Sequence, residues 1–299
     1  MTLDNSEKIS FSRIIAGVMN WGSWGADLGT SQMSKLINQC VSHGVTTFDH
    51  ADIYGGYSTE ATFGTALQES QISRDTIQLI TKCGICMPCD NRPDYKIKSY
   101  DTSKKHIITS VENSLRNLKT DYIDLLLIHR PSPLMVAKEI ADAFSELKQS
   151  GKVKSFGVSN FNVIQTSLIH DTYPIVANQV EASLLHLDPF FDDSFDYCQK
   201  NNILPMIWSP LAGGKLFINQ SDQKIEAQKA RIQIVCDKYN WSIDEASYLF
   251  LLHHPYKLYP VTGSSKIERI VTAVNVLDKK ISSSQWFELL EAARGQKVA

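Results

Sequence analysis

The chain has 299 residues, 43% hydrophobic and 21% charged, a balance that suits one large globular domain or two small ones. Its formal charge of −2 leaves no basic excess to neutralise a phosphate backbone or dock on an anionic bilayer, which excludes nucleic acid as a partner. The longest apolar runs, 123–128 and 249–252, fall far short of the roughly 20 residues that span a membrane.

In chain order, a first short apolar run at 13–17 reads as a buried strand, and Trp21 and Trp24 follow it. A second strand, 46–49, ends on Asp49, and a glycine-rich turn after it carries Tyr54 ahead of Gly55 and Gly56. The third, 77–82, ends on Lys82 and opens into a long polar loop, 83–101, of the kind that is usually functional or mobile. Ile107, Val111, Leu115 and Leu118 then recur at helical spacing. The fourth strand, 123–129, ends on His129 and is followed by a short loop, 130–133. Ile140, Ala143, Phe144 and Leu147 mark a second helical face, closed by Ser150-Gly151. Strands at 153–158, 175–179 and 204–208 follow. Residues 222–253 read as two helices, the second opening on Ser242 with Glu245 at capping-box spacing. An eighth strand, 258–261, precedes a last helix, 281–294, that starts at serines 282–284.

Strands that read as continuous apolar runs are buried on both faces, as in a parallel sheet covered by helices. Eight such units favour an α/β fold of one (β/α)8 TIM barrel with extra C-terminal helices, a single domain over 1–299. A doubly wound open sheet is the competitor, but Gly17 is followed by Val18, Met19 and Asn20, not by the second glycine of a dinucleotide fingerprint. The N-terminal residues have neither a basic nor an apolar secretory stretch, so the cytoplasm is the expected compartment. There the six cysteines are expected as free thiols.

Strands of one parallel barrel bring their C-terminal ends together, which gathers Asp49, Tyr54, Lys82 and His129 at one mouth. Hydride transfer to a carbonyl needs a proton donor for the developing alkoxide, and a tyrosine serves if a nearby ammonium lowers its pKa. In that arrangement Lys82 stabilises the tyrosinate of Tyr54, Asp49 fixes Lys82, and His129 donates to the substrate oxygen.

The stretch from Gly44 through Asp49, Asp52 and Tyr54 to Gly55 resembles the signature of the aldo-keto reductase superfamily. Segments 125–131, 151–161 and 263–270 resemble three further motifs of that family in the expected order, and the likeness covers essentially the whole chain. The resemblance implies a barrel that binds NADPH (NADP+) without a Rossmann domain and reduces a small-molecule aldehyde or ketone, with Asp49, Tyr54, Lys82 and His129 as catalytic tetrad. It implies that Ser159, Asn160 and Gln179 hold the nicotinamide carboxamide and that Trp208 stacks on the ring, where a tyrosine is usual. Ser209, Leu211, Gly213 and Lys215 match the loop over the pyrophosphate; Ser264, Lys266 and Arg269 match the 2′-phosphate site. Gly263 stands where some members carry a lysine, which weakens the phosphate clamp and the preference for NADP over NAD. Trp21 and Trp24 are the expected apolar walls of the substrate pocket, beside Tyr54 and His129.

An alternative reading keeps the barrel and NADPH but makes the protein a nucleotide-sensing or scaffold protein with little turnover. No metal is expected: Cys83, Cys86 and Cys89 lack a fourth ligand nearby, and adjacent His253 and His254 point in different directions on a helix. His50 is expected to support the site by hydrogen bonding. Composition leaves the physiological substrate and the oligomeric state open, from monomer to weak oligomer.

Overall fold

The computed structural model describes residues 10–219 and 221–298. Among the described residues ten strands form: β1 (Ile15–Gly17), β2 (Thr47–Asp49), β3 (Gln78–Cys83), β4 (Ile85–Cys86), β5 (Ser99–Tyr100), β6 (Ile123–Ile128), β7 (Val153–Ser159), β8 (Ala177–Glu181), β9 (Leu204–Trp208) and β10 (Tyr259–Thr262). Eight of them close into a parallel barrel in the order β1-β10-β9-β8-β7-β6-β3-β2. The strands are short and apolar on both faces because the inner face fills the cylinder and the outer face meets helices. Ile15, Ile80, Leu125, Leu127, Ala177, Met206 and Val261 pack together in one buried cluster, with Phe11 beside them.

The helices are α1 (Thr30–Ser42), α2 (Tyr54–Tyr57), α3 (Thr59–Ser70), α4 (Lys104–Leu118), α5 (Ala137–Gln149), α6 (Val163–Thr172), α7 (Ser194–Asn201), α8 (Gln223–Tyr239), α9 (Ile243–Leu252), α10 (Ile267–Asn275) and α11 (Ser283–Arg294). The stripe Ile107, Val111 and Leu118 on α4 is fully buried, each side chain contributing on the order of 1.5–3 kcal/mol. The caps read from sequence close as expected: Ser242 with Glu245 opens α9, and Ser282, here with Gln285, opens α11. Gly151, at φ 71°, follows α5. α8 is inserted between β9 and β10 and packs against the C-terminal α11, which together form the layer added to the simple repeat.

One expectation is corrected. The 83–101 segment is not structureless, because β4 and β5 pair antiparallel within it, Ile85 opposite Tyr100 and Cys86 opposite Ser99. Among the described residues no helix is long and apolar enough to cross a membrane.

Candidate active site

Asp49 is the last residue of β2, Lys82 the penultimate residue of β3, and His129 the first residue past β6. In-register parallel pairing levels these strand ends: Asp49 lies beside Ile80, and Lys82 beside Leu127. Tyr54 opens α2, where Gly55 and Gly56 take φ 59° and 64° and turn the chain sharply, a conformation open to glycine at little cost.

The Lys82 ammonium is 1% exposed and donates to both Asp49 carboxylate oxygens at 2.8 Å, to the His50 carbonyl at 2.7 Å and to Tyr54 Oη at 3.2 Å. An ammonium has only protons to give, so the Tyr54 oxygen must accept here, and its own O–H proton is left for another acceptor. Gln179 Nε2 donates to Asp49 Oδ1 at 3.0 Å, completing the carboxylate's partners. A charge pair this dry costs several kcal/mol in desolvation per ion and persists only where geometry and further hydrogen bonds compensate, as they do here.

The electrostatics sharpen the roles. Burial works against the Lys82 ammonium, but the Asp49 carboxylate and the Tyr54 phenol outweigh it and raise its pKa, so it stays charged. Burial raises the Tyr54 pKa, Lys82 pulls it back, and Asp49 raises it again, leaving it above the ordinary phenol range. The expected pull of Lys82 is therefore present, but burial outweighs it and Tyr54 is a protonated phenol. His129 is held well below the usual imidazole range by burial and by the charges of Lys82, Arg130 and Lys98, so it is neutral. Its ring stands at 80° to that of Tyr54, centroids 6.1 Å apart, and its Nδ1 has no hydrogen-bond partner among the described residues.

Across the mouth, Ser159 ends β7 and Gln179 lies on β8, paired in register. Ser159 Oγ donates to the Gln179 carbonyl at 3.0 Å. Asn160, at φ 60°, donates to Ser159 Oγ at 2.8 Å and accepts from Trp208 Nε1 at 2.9 Å, which fixes the indole at the end of β9. Ser209 and Leu211 lead into a 3-10 turn, Ala212–Gly214, with Lys215 after it. Gly213 and Gly214 take φ 62° and 87°, so their backbone stays open to a close neighbour. Beyond β10, Gly263 accepts from Asn20 Nδ2 at 3.1 Å and the Ser264 carbonyl from Trp21 Nε1 at 2.9 Å. Lys266 is the N-cap of α10 and offers no side-chain cap, while Arg269 lies in its first turn. An uncapped helix start with two exposed cations at its first residues is an arrangement that suits a phosphate. The donor set therefore fits a phosphorylated dinucleotide, with a flat indole at one end and an uncapped, cationic helix start at the other.

One expectation fails. Trp21 is fully buried and packs on Phe48 and Phe63, so it braces the 263–264 segment and cannot wall a substrate pocket. Trp24 remains the exposed partner, 43% accessible and 6.1 Å from the Tyr54 ring. His50 supports the site by hydrogen bonding, as expected, with its backbone carbonyl as the acceptor from Lys82. Its ring nitrogens have no hydrogen-bond partners among the described residues, its ring sits edge-on to Phe63 at 4.3 Å, and burial with the Lys82 charge lowers its pKa to about 3. Cys83 and Cys86 are buried with thiol pKa raised by burial. Among the described residues no group of three His, Cys, Asp or Glu side chains could hold a metal.

Sequence reasoning passed over Arg130 as a site residue, although it directly follows His129. Its guanidinium lies 5.8 Å from the Trp208 ring centroid, and its charge acts on both Tyr54 and His129.

A family model described as the aldo/keto reductase family matches residues 13–294. An uncharacterized oxidoreductase of Bacillus subtilis, YcsN, is 44% identical over 295 residues, 98% of either chain. A 6-dehydroglucose reductase of Agrobacterium fabrum is 40% identical over 296 residues, again 98% of both. Among solved structures, the glycerol dehydrogenase of Gluconobacter oxydans superposes with a TM-score of 0.82 at 21% identity, covering 99% of this chain and 96% of that one. At that identity the likeness speaks for the fold alone.

Proposed function

The chain belongs to the aldo/keto reductase family of oxidoreductases, and from that membership we propose that it reduces an aldehyde or ketone to an alcohol with NADPH, Tyr54 acting as general acid. The observation that carries this reading is the Lys82 ammonium, clamped by Asp49, donating into Tyr54 Oη. Bound NADPH would supply the hydride that reaches the carbonyl carbon. As charge builds on the carbonyl oxygen, the free O–H of Tyr54 delivers its proton there, and the adjacent ammonium stabilises the tyrosinate left behind. Neutral His129 donates a second hydrogen bond to the same oxygen, and solvent restores the tyrosine proton after the alcohol leaves.

Ser159, Asn160 and Gln179 would orient the carboxamide, and Trp208 would cover one face of the nicotinamide. Ser209, Leu211, Gly213 and Lys215 would line the pyrophosphate. Ser264, Lys266 and Arg269, beside Gly263, would take the 2′-phosphate, and the two cations there support NADPH over NADH. Trp24 would form the apolar wall of the substrate site. One domain carries the activity, and the cytoplasm, where its free thiols stay reduced, is the proposed setting. The Agrobacterium fabrum relative, a 6-dehydroglucose reductase, puts an oxidised sugar among the carbonyl compounds to assay.

Protein fluorescence titrated with NADPH and with NADH, followed by stopped-flow oxidation of the bound cofactor by a panel of aldehydes, tests the reading. Quenching of Trp208 by NADPH at lower concentration than by NADH, then oxidation on mixing, is expected. Tight binding with no oxidation by any aldehyde or ketone would instead favour the nucleotide-sensing alternative.

A further inference from the structure

Two cations at the barrel mouth have no task in the scheme above. Arg130 leaves the end of β6, and Lys98 sits just before β5, on the excursion that rises from the neighbouring strand β3. Arg130 directly follows His129 and holds its guanidinium 5.8 Å from the Trp208 ring centroid, while Lys98 precedes the β5 strand that pairs with β4 just past β3, the neighbour of β6; the charges of both also lower the His129 pKa. Neither forms an ion pair or a hydrogen bond among the described residues, and the tetrad carboxylate, Asp49, is already held by Lys82.

Three other duties for Arg130 fit poorly. Holding Trp208 is unnecessary, because Asn160 pins the indole at 2.9 Å, and a guanidinium 5.8 Å from the ring sits at the outer limit of a cation–π contact. Reaching the phosphate end is ruled out by topology: β6 and β10 are four places apart in a ring of eight, diametrically opposed. Tuning Tyr54 is a weak duty, since Arg130 is the smallest of the influences on its pKa.

Resting on the reductase reading, we propose that Arg130 and Lys98 bind the oxygen-bearing tail of the carbonyl substrate, and so select compounds with a carboxylate or hydroxyls near the carbonyl over apolar aldehydes. A planar five-donor guanidinium suits either paired carboxylate oxygens or neighbouring hydroxyls, and a flexible ammonium adds a second donor from the side. Placed beside a neutral His129, they anchor the tail and thereby aim the carbonyl oxygen at Tyr54 and His129.

The test compares wild type, Arg130→Met and Lys98→Met with NADPH and three small aldehydes: succinic semialdehyde (carboxylate), glyceraldehyde (hydroxyls) and butyraldehyde (apolar). The ratio of kcat/KM for an oxygen-bearing aldehyde over butyraldehyde is expected to fall about tenfold or more in Arg130→Met, mainly through KM, and by a smaller factor in Lys98→Met. A fall confined to succinic semialdehyde identifies an anionic tail, and a fall confined to glyceraldehyde a hydroxylated one. Equal losses on all three aldehydes, or a wild type that prefers butyraldehyde, would overturn the inference while leaving the reductase reading intact. A wild type that binds NADPH and reduces none of the three would remove both.

Discussion

The two ends of the candidate site are built on opposite principles. At β2 and β3 the Lys82, Asp49 and Tyr54 cluster is dry, and every proton of the ammonium has an acceptor within the protein. At α10 the Lys266 and Arg269 cations are exposed, and the helix start has no side-chain cap. The first satisfies its charges within the protein, whereas the second leaves its charges in solvent. Substitutions in the dry cluster should therefore disturb folding and chemistry together. Substitutions at the open helix start should disturb cofactor affinity alone.

The largest expected effect is that of Lys82→Met. It leaves Asp49 buried without its counter-ion, which should cost about 3–5 kcal/mol in urea unfolding, and steady-state reduction should drop by at least about 10²-fold. A variant as stable as wild type would break the comparison at its first term. Next in size, Lys266→Ala combined with Arg269→Ala should weaken NADPH by roughly 10–100-fold, as expected for charge-assisted bonds to a phosphate, while shifting the unfolding midpoint little. Titration of NADH by the same variant sharpens the point, since its affinity should change far less.

The smallest effect concerns His50. Its folded pKa, about 3, lies below the unfolded value of 6.5, so the unfolded chain binds the extra proton between those pH values. The stability this supplies is complete above pH 6.5 and declines as pH falls toward 3, at up to about 1.4 kcal/mol per unit. His50→Gln removes one such proton, and its plot of unfolding free energy against pH should be shallower than that of wild type by up to that amount. Parallel plots would mean that the ring is not buried as a neutral group.

Much of this was legible in the sequence because barrel strands and capped helices carry local signals. Each of the eight barrel strands announces itself by a short apolar run, and Asp49, Lys82 and His129 at three of their ends, with Tyr54 in the turn after the first of these, fall at one mouth by topology alone. Serines 242 and 282 mark helix starts through chemistry confined to four residues. What escaped lacks such periodicity. The β4 and β5 pair is two residues long on each side, too short to alternate visibly. Trp21 ends a one-turn 3-10 helix and Trp24 lies in the turn after it, where nothing local says that the first folds onto Phe48 and Phe63 while the second faces out. His50 follows Asp49 directly, and successive residues point to opposite faces, so adjacency in sequence sends its ring to the helix layer and Phe63. Arg130 is noticed only when Trp208, from the far end of the chain, is brought within reach of it.

The central claim is that Tyr54 gives up the proton that completes carbonyl reduction. Single-turnover oxidation of saturating bound NADPH, followed at 340 nm with a reactive aldehyde, measures that step directly in wild type and Tyr54→Phe. The account predicts unchanged NADPH affinity and a rate lower by roughly 10²- to 10⁴-fold in the variant; a rate equal to that of wild type would contradict it.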